Sequence, residues 1–411
     1  MTTGEPTTTA AGRLARPRPV SWPVQVFRPF PDCDNVVFAR TAARTDAFGP
    51  TSAAAGAPVV IGSAAGPSAD DATPRARSEL LERMQNILSA RVEEQRADIV
   101  ASFDELRRSG RLALDPLSWP EITDPGWRQS LMLWVRGFSL IEGDEVLVPA
   151  SAVFLRHRPP PQCRGLLLAG SPGLAAHQDP ISAVRHAALE ILERDLLARA
   201  WYDGAERMVL PDTFVPEDLR RPISTLELRC TAFLIPGPEG SGCVAVALTD
   251  AEGGRQSFGA RAVPTLDDES LVSAVGVAVY EALMVRWSMR TGAAAAALAA
   301  LRGRADRAPL DPIQHSVHAY HHQDSLAVLL EGSTPYEPGW IEELDQPGPE
   351  VTSVLAEYGG DDVVAVPTTL DLPMNRDTVV MRVVAPAVRR LPADERTESA
   401  LHPDAPPHPF G

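Results

Sequence analysis

Apolar residues fall into a few dense runs along this chain, and the spacing within each run predicts the element it forms. The densest is Ser182–Tyr202. Val184, Ala187, Ala188, Leu189, Ile191, Leu192, Leu196, Leu197 and Trp201 leave almost no polar face there. A helix that is apolar on nearly every side is a buried one. A second long helix is predicted from Asp268 to about Arg290, and a third around 76–84, after the flexible turn Gly62–Gly66. Shorter runs read as strands: Asn35–Ala39, Pro58–Ile61, Glu145–Val148, Ala152–Leu155, Leu226–Ile235, Cys243–Leu248, Val363–Val366 and Val379–Val384. Two of them, Leu226–Ile235 and Cys243–Leu248, are expected to pair across the Pro/Gly loop 236–242. Strands and helices intermix throughout, so the fold class is α/β or α+β. Prolines 6, 17, 19 and 23 predict a disordered arm over residues 1–24, and Pro403–Gly411 excludes regular structure at the other end. The division expected is an arm at 1–24, one body at 25–390 and a Pro-rich tail at 391–411.

One pattern repeats. Ala76–Met84 reads ARSELLERM and Ala187–Asp195 reads AALEILERD. Residues three apart share a helix face, so Glu79 with Glu82, and Glu190 with Glu193, are two carboxylate pairs, each beside an arginine, Arg83 or Arg194. A buried, unpaired carboxylate is very costly. Hard oxygen ligands in such a place suit Mg²⁺, held by a few carboxylates together with phosphate oxygens and water. The alternative is a solvated face of Glu–Arg pairs, and Asp195 is placed to pair with Arg194.

Composition narrows the chemistry. The net charge of −16 argues against a nucleic-acid partner. No run is expected to be long enough to span a bilayer, and the apolar part of Ala293–Leu301 is short and mostly alanine. The start of the chain lacks the apolar core of a signal peptide, and the four cysteines are scattered without metal-type spacing. A cytoplasmic setting is the expectation. All 38 basic residues are arginine. Without lysine there is no Walker-type phosphate loop, no Schiff base and no pyridoxal linkage. Nucleotide would have to be held by Arg, Mg²⁺ and backbone donors. The all-Arg usage also fits a GC-rich bacterial genome. His315, His318 and His322 share a helix face; Zn²⁺ is one reading, but with no Cys or acidic cluster adjacent a partly buried helix end is favoured.

The run AVRHAALEILERDLLARAWY (Ala183–Tyr202) resembles the signature helix of the YcaO superfamily. Other segments resemble that family in order: Gly62–Met84, the Trp134–Ala150 hairpin, SPGLAA at Ser171–Ala176, Glu281 in VAVYEAL, Gln314-His315 and the tail PPHPFG. The resemblance implies a YcaO-like fold with internally duplicated strand/helix halves around an ATP–Mg²⁺ site, residues 25–390 being the catalytic domain. It implies ATP-dependent activation of a backbone amide in a ribosomally made precursor peptide, with cyclodehydration of Cys, Ser or Thr to thiazoline or oxazoline. Carried over by position, Glu79, Glu82, Glu190, Glu193 and Glu281 would hold Mg²⁺, Arg194 would contact phosphate and Gln178 the nucleotide. Polyproline geometry would steer the Gly411 carboxylate into the site as a base or proton shuttle. The resemblance also implies a leader-binding, ThiF-like partner protein and a homodimer, without nucleic acid or membrane. Ser182 and Val277 stand where many members carry charge, and the turn Ser63-Ala64-Ala65 lacks their lysine. A non-catalytic subunit that binds leader peptide or a sister enzyme therefore stays open, as does thioamide or amidine chemistry.

Overall fold

A computed structural model describes residues 22–50, 57–166, 170–304, 308–322, 324–337, 363–370, 377–394 and 405–411. Most of the expected N-terminal arm, 1–21, and part of the expected tail, 395–404, lie outside the described residues. The elements run β1 (Val24–Phe27), β2 (Val37–Arg44), β3 (Val59–Gly66) and α1 (Ala69–Arg96). Then come β4 (Val100–Ala101), α2 (Phe103–Arg108), β5 (Met132–Ser139), β6 (Glu145–Pro149), α3 (Ala150–Val153), β7 (Leu174–His177) and α4 (Pro180–Tyr202). They continue with β8 (Met208–Leu210), α5 (Glu217–Thr225), β9 (Arg229–Pro236), β10 (Gly242–Thr249), β11 (Ser257–Val263) and α6 (Asp268–Ser288). The remainder is α7 (Gly292–Arg302), α8 (Pro312–His321), α9 (Ser325–Leu330), β12 (Thr334–Pro335), β13 (Val364–Pro367) and β14 (Val379–Val384).

Three sheets result, ordered β1-β2-β3, β11-β10-β9-β8-β12 and β4-β5-β13-β14-β7, with β6 paired to β5. The pairings are antiparallel except β8 with β12. The three long helices fill the space between the sheets. α4 packs against β7 and β14 on one side and β9–β11 on the other, α1 against β2, β3 and β7, and α6 against β10, β11 and β3. Sheets on two sides are why α4 and α6 carry no polar stripe. Each helix begins with a side-chain cap: Ser68 accepts from the Asp71 amide, Asp179 from Ser182 and Asp267 from Ser270. The mixed α/β class stands as expected.

Three local expectations are corrected. Gly62–Gly66 is the end of β3, in register with Val37–Thr41, and not a flexible turn. The glycine serves close packing: a Cβ on Gly62 would lie 2.1 Å from the Ala76 carbonyl oxygen of α1. The strand expected at Ala152–Leu155 instead begins in the last residues of the short helix α3, which starts after Pro149; a short, largely buried run carries no period that separates strand from helix. Among the described residues one segment, α6, has the length and mean hydropathy (1.3) of a membrane-crossing helix. Here that apolarity is spent on the core, with Leu271, Val275, Ala278, Val279, Ala282 and Leu283 buried against the β9–β11 sheet.

Candidate active site

The edges of the three sheets meet among α1, α4 and α6, and glutamates finish them. β3, β7 and β11 are each the last strand of their sheet, and an edge strand presents unpaired N–H groups. Glu79 of α1 accepts from the Ser63 amide at 2.6 Å. Glu190 of α4 accepts from the Gly173 amide, just before β7, at 3.2 Å. Glu281 of α6 accepts from the Ala260 amide of β11 at 2.9 Å, and Glu193 reaches across from α4 to the Ala262 amide at 3.1 Å. Close approach of helix to strand makes this reach possible. A Cβ on Gly259 would meet the Ala278 carbonyl oxygen at 2.2 Å, as one on Gly62 would meet that of Ala76. Gly173, at φ +83°, lies against Ile191.

Five carboxylates thereby collect side by side, Glu193 buried and the other four partly buried, and their electrostatics show the strain. Burial, then the neighbouring Glu190 and Glu79, push the Glu82 carboxyl well above its usual range, against the opposing pull of Arg83 and Arg382. Burial raises Glu190 to about 7, with Arg194 pulling it down and Glu193 pushing it up. Glu281 is also raised to about 7 by burial and by Glu193, and Glu79 is raised by burial while Arg83 opposes. Three arginines face them. Arg83 pairs with Glu79 at 2.6 Å and Arg194 approaches Glu193 at 3.6 Å. Burial would lower the Arg194 pKa, but Glu193, Glu190 and Glu281 hold it above its usual value. Arg382 of β14 is 7% exposed, donates to the Gly170 and Ser171 carbonyls, and is lowered to about 10 by burial despite Glu190 and Glu82. The Nε–H groups of Arg83, Arg194 and Arg382 are all buried without a hydrogen-bond partner among the described residues.

Those three arginines line one cavity of about 640 Å³. Its other walls include Val60, Ile87 and Leu155, and its far side is the chain's own tail: His408, Phe410 and Gly411. The tail is firmly seated. Trp201 Nε1 donates to the Pro406 carbonyl at 2.7 Å, and the buried Phe410 ring packs edge-on to Phe258.

The sequence-derived residues are thus largely brought together: Glu79, Glu82, Glu190, Glu193, Glu281 and Arg194 form one cluster, and Gly411 lines the adjoining cavity. Gln178 stands apart, exposed just before the Asp179 cap of α4. Asp195 does not pair with Arg194; it is fully buried, bonded to Arg199 at 2.7 Å and to the Arg389 amide at 2.8 Å. Arg382 went unnoticed in the sequence. Its signal was there: a charged residue in the middle of the buried run VVMRVV.

The donor set fits a magnesium–polyphosphate pair. Five carboxylates against Arg83, Arg194, Arg382 and, beside Glu281, Arg261 still leave a surplus of negative charge that a divalent cation offsets, and three buried N–H donors point to missing acceptor oxygens. Among the described residues no ready-made cage of three ligating side chains exists, and Mg²⁺ is commonly bound by one or two carboxylates plus phosphate and water. The chain belongs to the YcaO family: residues 63–389 match the family described as YcaO cyclodehydratase, ATP- and Mg²⁺-binding. Similar folds are found in solved structures. A heterocyclase in complex with substrate and cofactor is 16% identical, at TM-score 0.64, over 90% of this chain but only half of that one. YcaO from Methanopyrus kandleri bound with AMPPCP and Mg²⁺ is 21% identical, at TM-score 0.57, over 95% of this chain and 90% of that one. The E. coli microcin synthetase McbBCD complex is 14% identical, at TM-score 0.62, over 91% and 90%.

Proposed function

We propose that this chain activates a backbone amide of a ribosomally made peptide with ATP and Mg²⁺, and that it closes a Cys, Ser or Thr side chain onto that amide to give a thiazoline or oxazoline. The observation carrying the reading is the junction of the carboxylate cluster with an arginine-lined cavity into which the chain's own tail runs. Bound ATP–Mg²⁺ supplies the phosphoryl group that turns the amide oxygen into a leaving group. Glu79, Glu82, Glu190, Glu193 and Glu281 would hold the Mg²⁺. Arg194, together with Arg382 and Arg83, would hold phosphate oxygens. Such a reaction asks the protein mainly for positioning and charge stabilisation. Glu190 and Glu281, with pKa values near 7, hold a proton part of the time in the free protein and release it when a cation takes their charge. Residue 411 stands at the cavity wall, where its carboxylate would take the proton of the attacking side chain. The apolar wall around Ile87 and Leu155 keeps water from that exchange.

A leader-binding partner protein and a homodimer belong to the same proposal; the similar McbBCD is itself a complex. The non-catalytic reading rests on Ser182, which serves as a backbone donor to the Asp179 cap, and on Val277. Calorimetry with Mg²⁺ and a non-hydrolysable ATP analogue separates the two. Purified chain, partner, Mg-ATP and a cognate precursor peptide should together give loss of one water per modified residue. Retention of both ATP turnover and mass loss in Glu190→Ala plus Glu193→Ala would overturn the enzymatic reading.

A further inference from the structure

The histidines of α8 belong to no grouping of three metal-ligating side chains among the described residues, and one of them is fully buried. His315 lies face to face with His408 of the tail, ring centroids 3.9 Å apart and 12° from parallel. His315 Nδ1–H donates to the His408 carbonyl at 2.9 Å, and His408 Nε2–H donates to the Pro392 carbonyl at 2.8 Å. The pair therefore ties three segments together: α8, the 385–394 stretch that follows β14, and the tail. Two residues beyond the stack, Phe410 enters the α4 core cluster and Gly411 lies over Pro312 at the start of α8.

We propose that His315 and His408 are positioning residues: an imidazole clamp that seats the segment 405–411 in the cavity and lets go as the rings acquire protons. Its bearing on turnover rests on the cyclodehydratase reading; the seat itself is measurable without turnover. The geometry gives the reason. Both rings are sealed, 0% and 3% exposed, and stacked imidazolium ions repel while losing their hydration. The charged groups facing the pair are Asp311 on α8, which favours protonation, and Arg194 on α4, which opposes it, with Arg389 and Arg390 of the 385–394 stretch lining the same cavity; His318 on α8 adds a further repulsive neighbour when charged. Burial outweighs the carbonyl partners and draws His315 down to about 4, with His408 well below its usual value. The seated tail thus holds neutral rings, whereas a released tail titrates near 6.5. Since the released form binds more protons, acidification favours release.

The Trp201 indole N–H, bonded to the Pro406 carbonyl, reports the seat, and the buried Trp134 indole, bonded to the Ala101 carbonyl, is the internal control. Indole exchange is followed by NMR on the full chain, with Trp201→Phe to assign the signal and correction for intrinsic exchange. From about pH 7.5 to about pH 5.5, Trp201 protection should fall about tenfold, the effect of one histidine freed to its ordinary pKa, while Trp134 stays protected. His315→Phe with His408→Phe keeps a ring stack and removes the titration, so its Trp201 protection should be flat with pH. His408→Asn, which keeps a donor for Pro392, serves if the double variant does not fold. A flat profile in the wild-type chain, an unchanged slope in these variants, or parallel loss at Trp134 overturns the clamp.

Discussion

The two helices that share the nonamer, α1 and α4, put the same residues into different surroundings. Arg83 of α1 keeps 36% of its side chain exposed, whereas Arg194, at the matching position of α4, keeps 17%. α1 lies largely on the β2–β3 sheet, with polar residues such as Glu93, Glu94 and Arg96 further along, while α4 is enclosed by two sheets. The motif is therefore an ion pair at the rim in one helix and a structural and electrostatic hub in the other. Arg194 serves three carboxylates, from α4 and α6, whereas the paired partner of Arg83 is Glu79 one turn away. Identical spacing delivers identical geometry along the helix, and the sheets around it decide how much that geometry is worth.

The sharpest test of this difference is to remove the two arginines in turn. Arg194→Ala leaves Glu190, Glu193 and Glu281 facing one another in the interior and should cost about 3–5 kcal/mol, the range for breaking a buried pair. Arg83→Ala, half-exposed, should cost about 1 kcal/mol or less. Urea unfolding at neutral pH measures both, and equal losses would erase the distinction.

A pH series sharpens it next. Glu190 and Glu281 have folded pKa values near 7 against about 4.5 unfolded, so between those values the folded state binds more protons. The stability they contribute is full below about pH 4.5 and is lost as pH rises through 7, by up to about 3 kcal/mol for each. Unfolding free energies of the ligand-free chain should fall across that window. Mg²⁺ with a non-hydrolysable ATP analogue should flatten the slope, because the cation takes over the charge that protons carried. Glu190→Gln should flatten it in part, without ligand.

The smallest expected effect concerns how the helices reach the strands. Gly62→Ala on β3 and Gly259→Ala on β11 each bring a methyl against a helix carbonyl and should cost about 1–3 kcal/mol, the usual range for overpacking. If the helix must back away, Glu79 or Glu281 loses its strand amide, and the exchange rate of the Ser63 or Ala260 amide rises in the matching variant only.

Much of the candidate site was legible in the chain because it is built from local patterns. The Glu-x-x-Glu-Arg spacing fixes carboxylates on one helix face wherever the helix lies. The all-apolar run of α4 announces burial, and the lack of lysine limits the phosphate chemistry. The misread segments were short or two-sided. Gly62–Gly66 has turn composition but is strand, since its glycine answers to the α1 backbone; Ala152–Leu155 is too short for its period to speak. The reach of Arg382, whose charge does stand out in VVMRVV, and the His315–His408 stack were hidden for another reason. Their partners lie far off along the chain: the imidazole stack joins residues 93 apart, and Arg382 reaches Gly170 across 212. By itself, then, the sequence determined which helices are buried, which faces carry carboxylates and that arginine alone supplies cationic side chains. Only the tertiary structure decided that three sheet edges meet among α1, α4 and α6, that Arg382 joins the cluster and that the tail closes the cavity. Helical periodicity is a short-range property of a few turns, whereas convergence depends on packing between elements hundreds of residues apart, which no local pattern encodes.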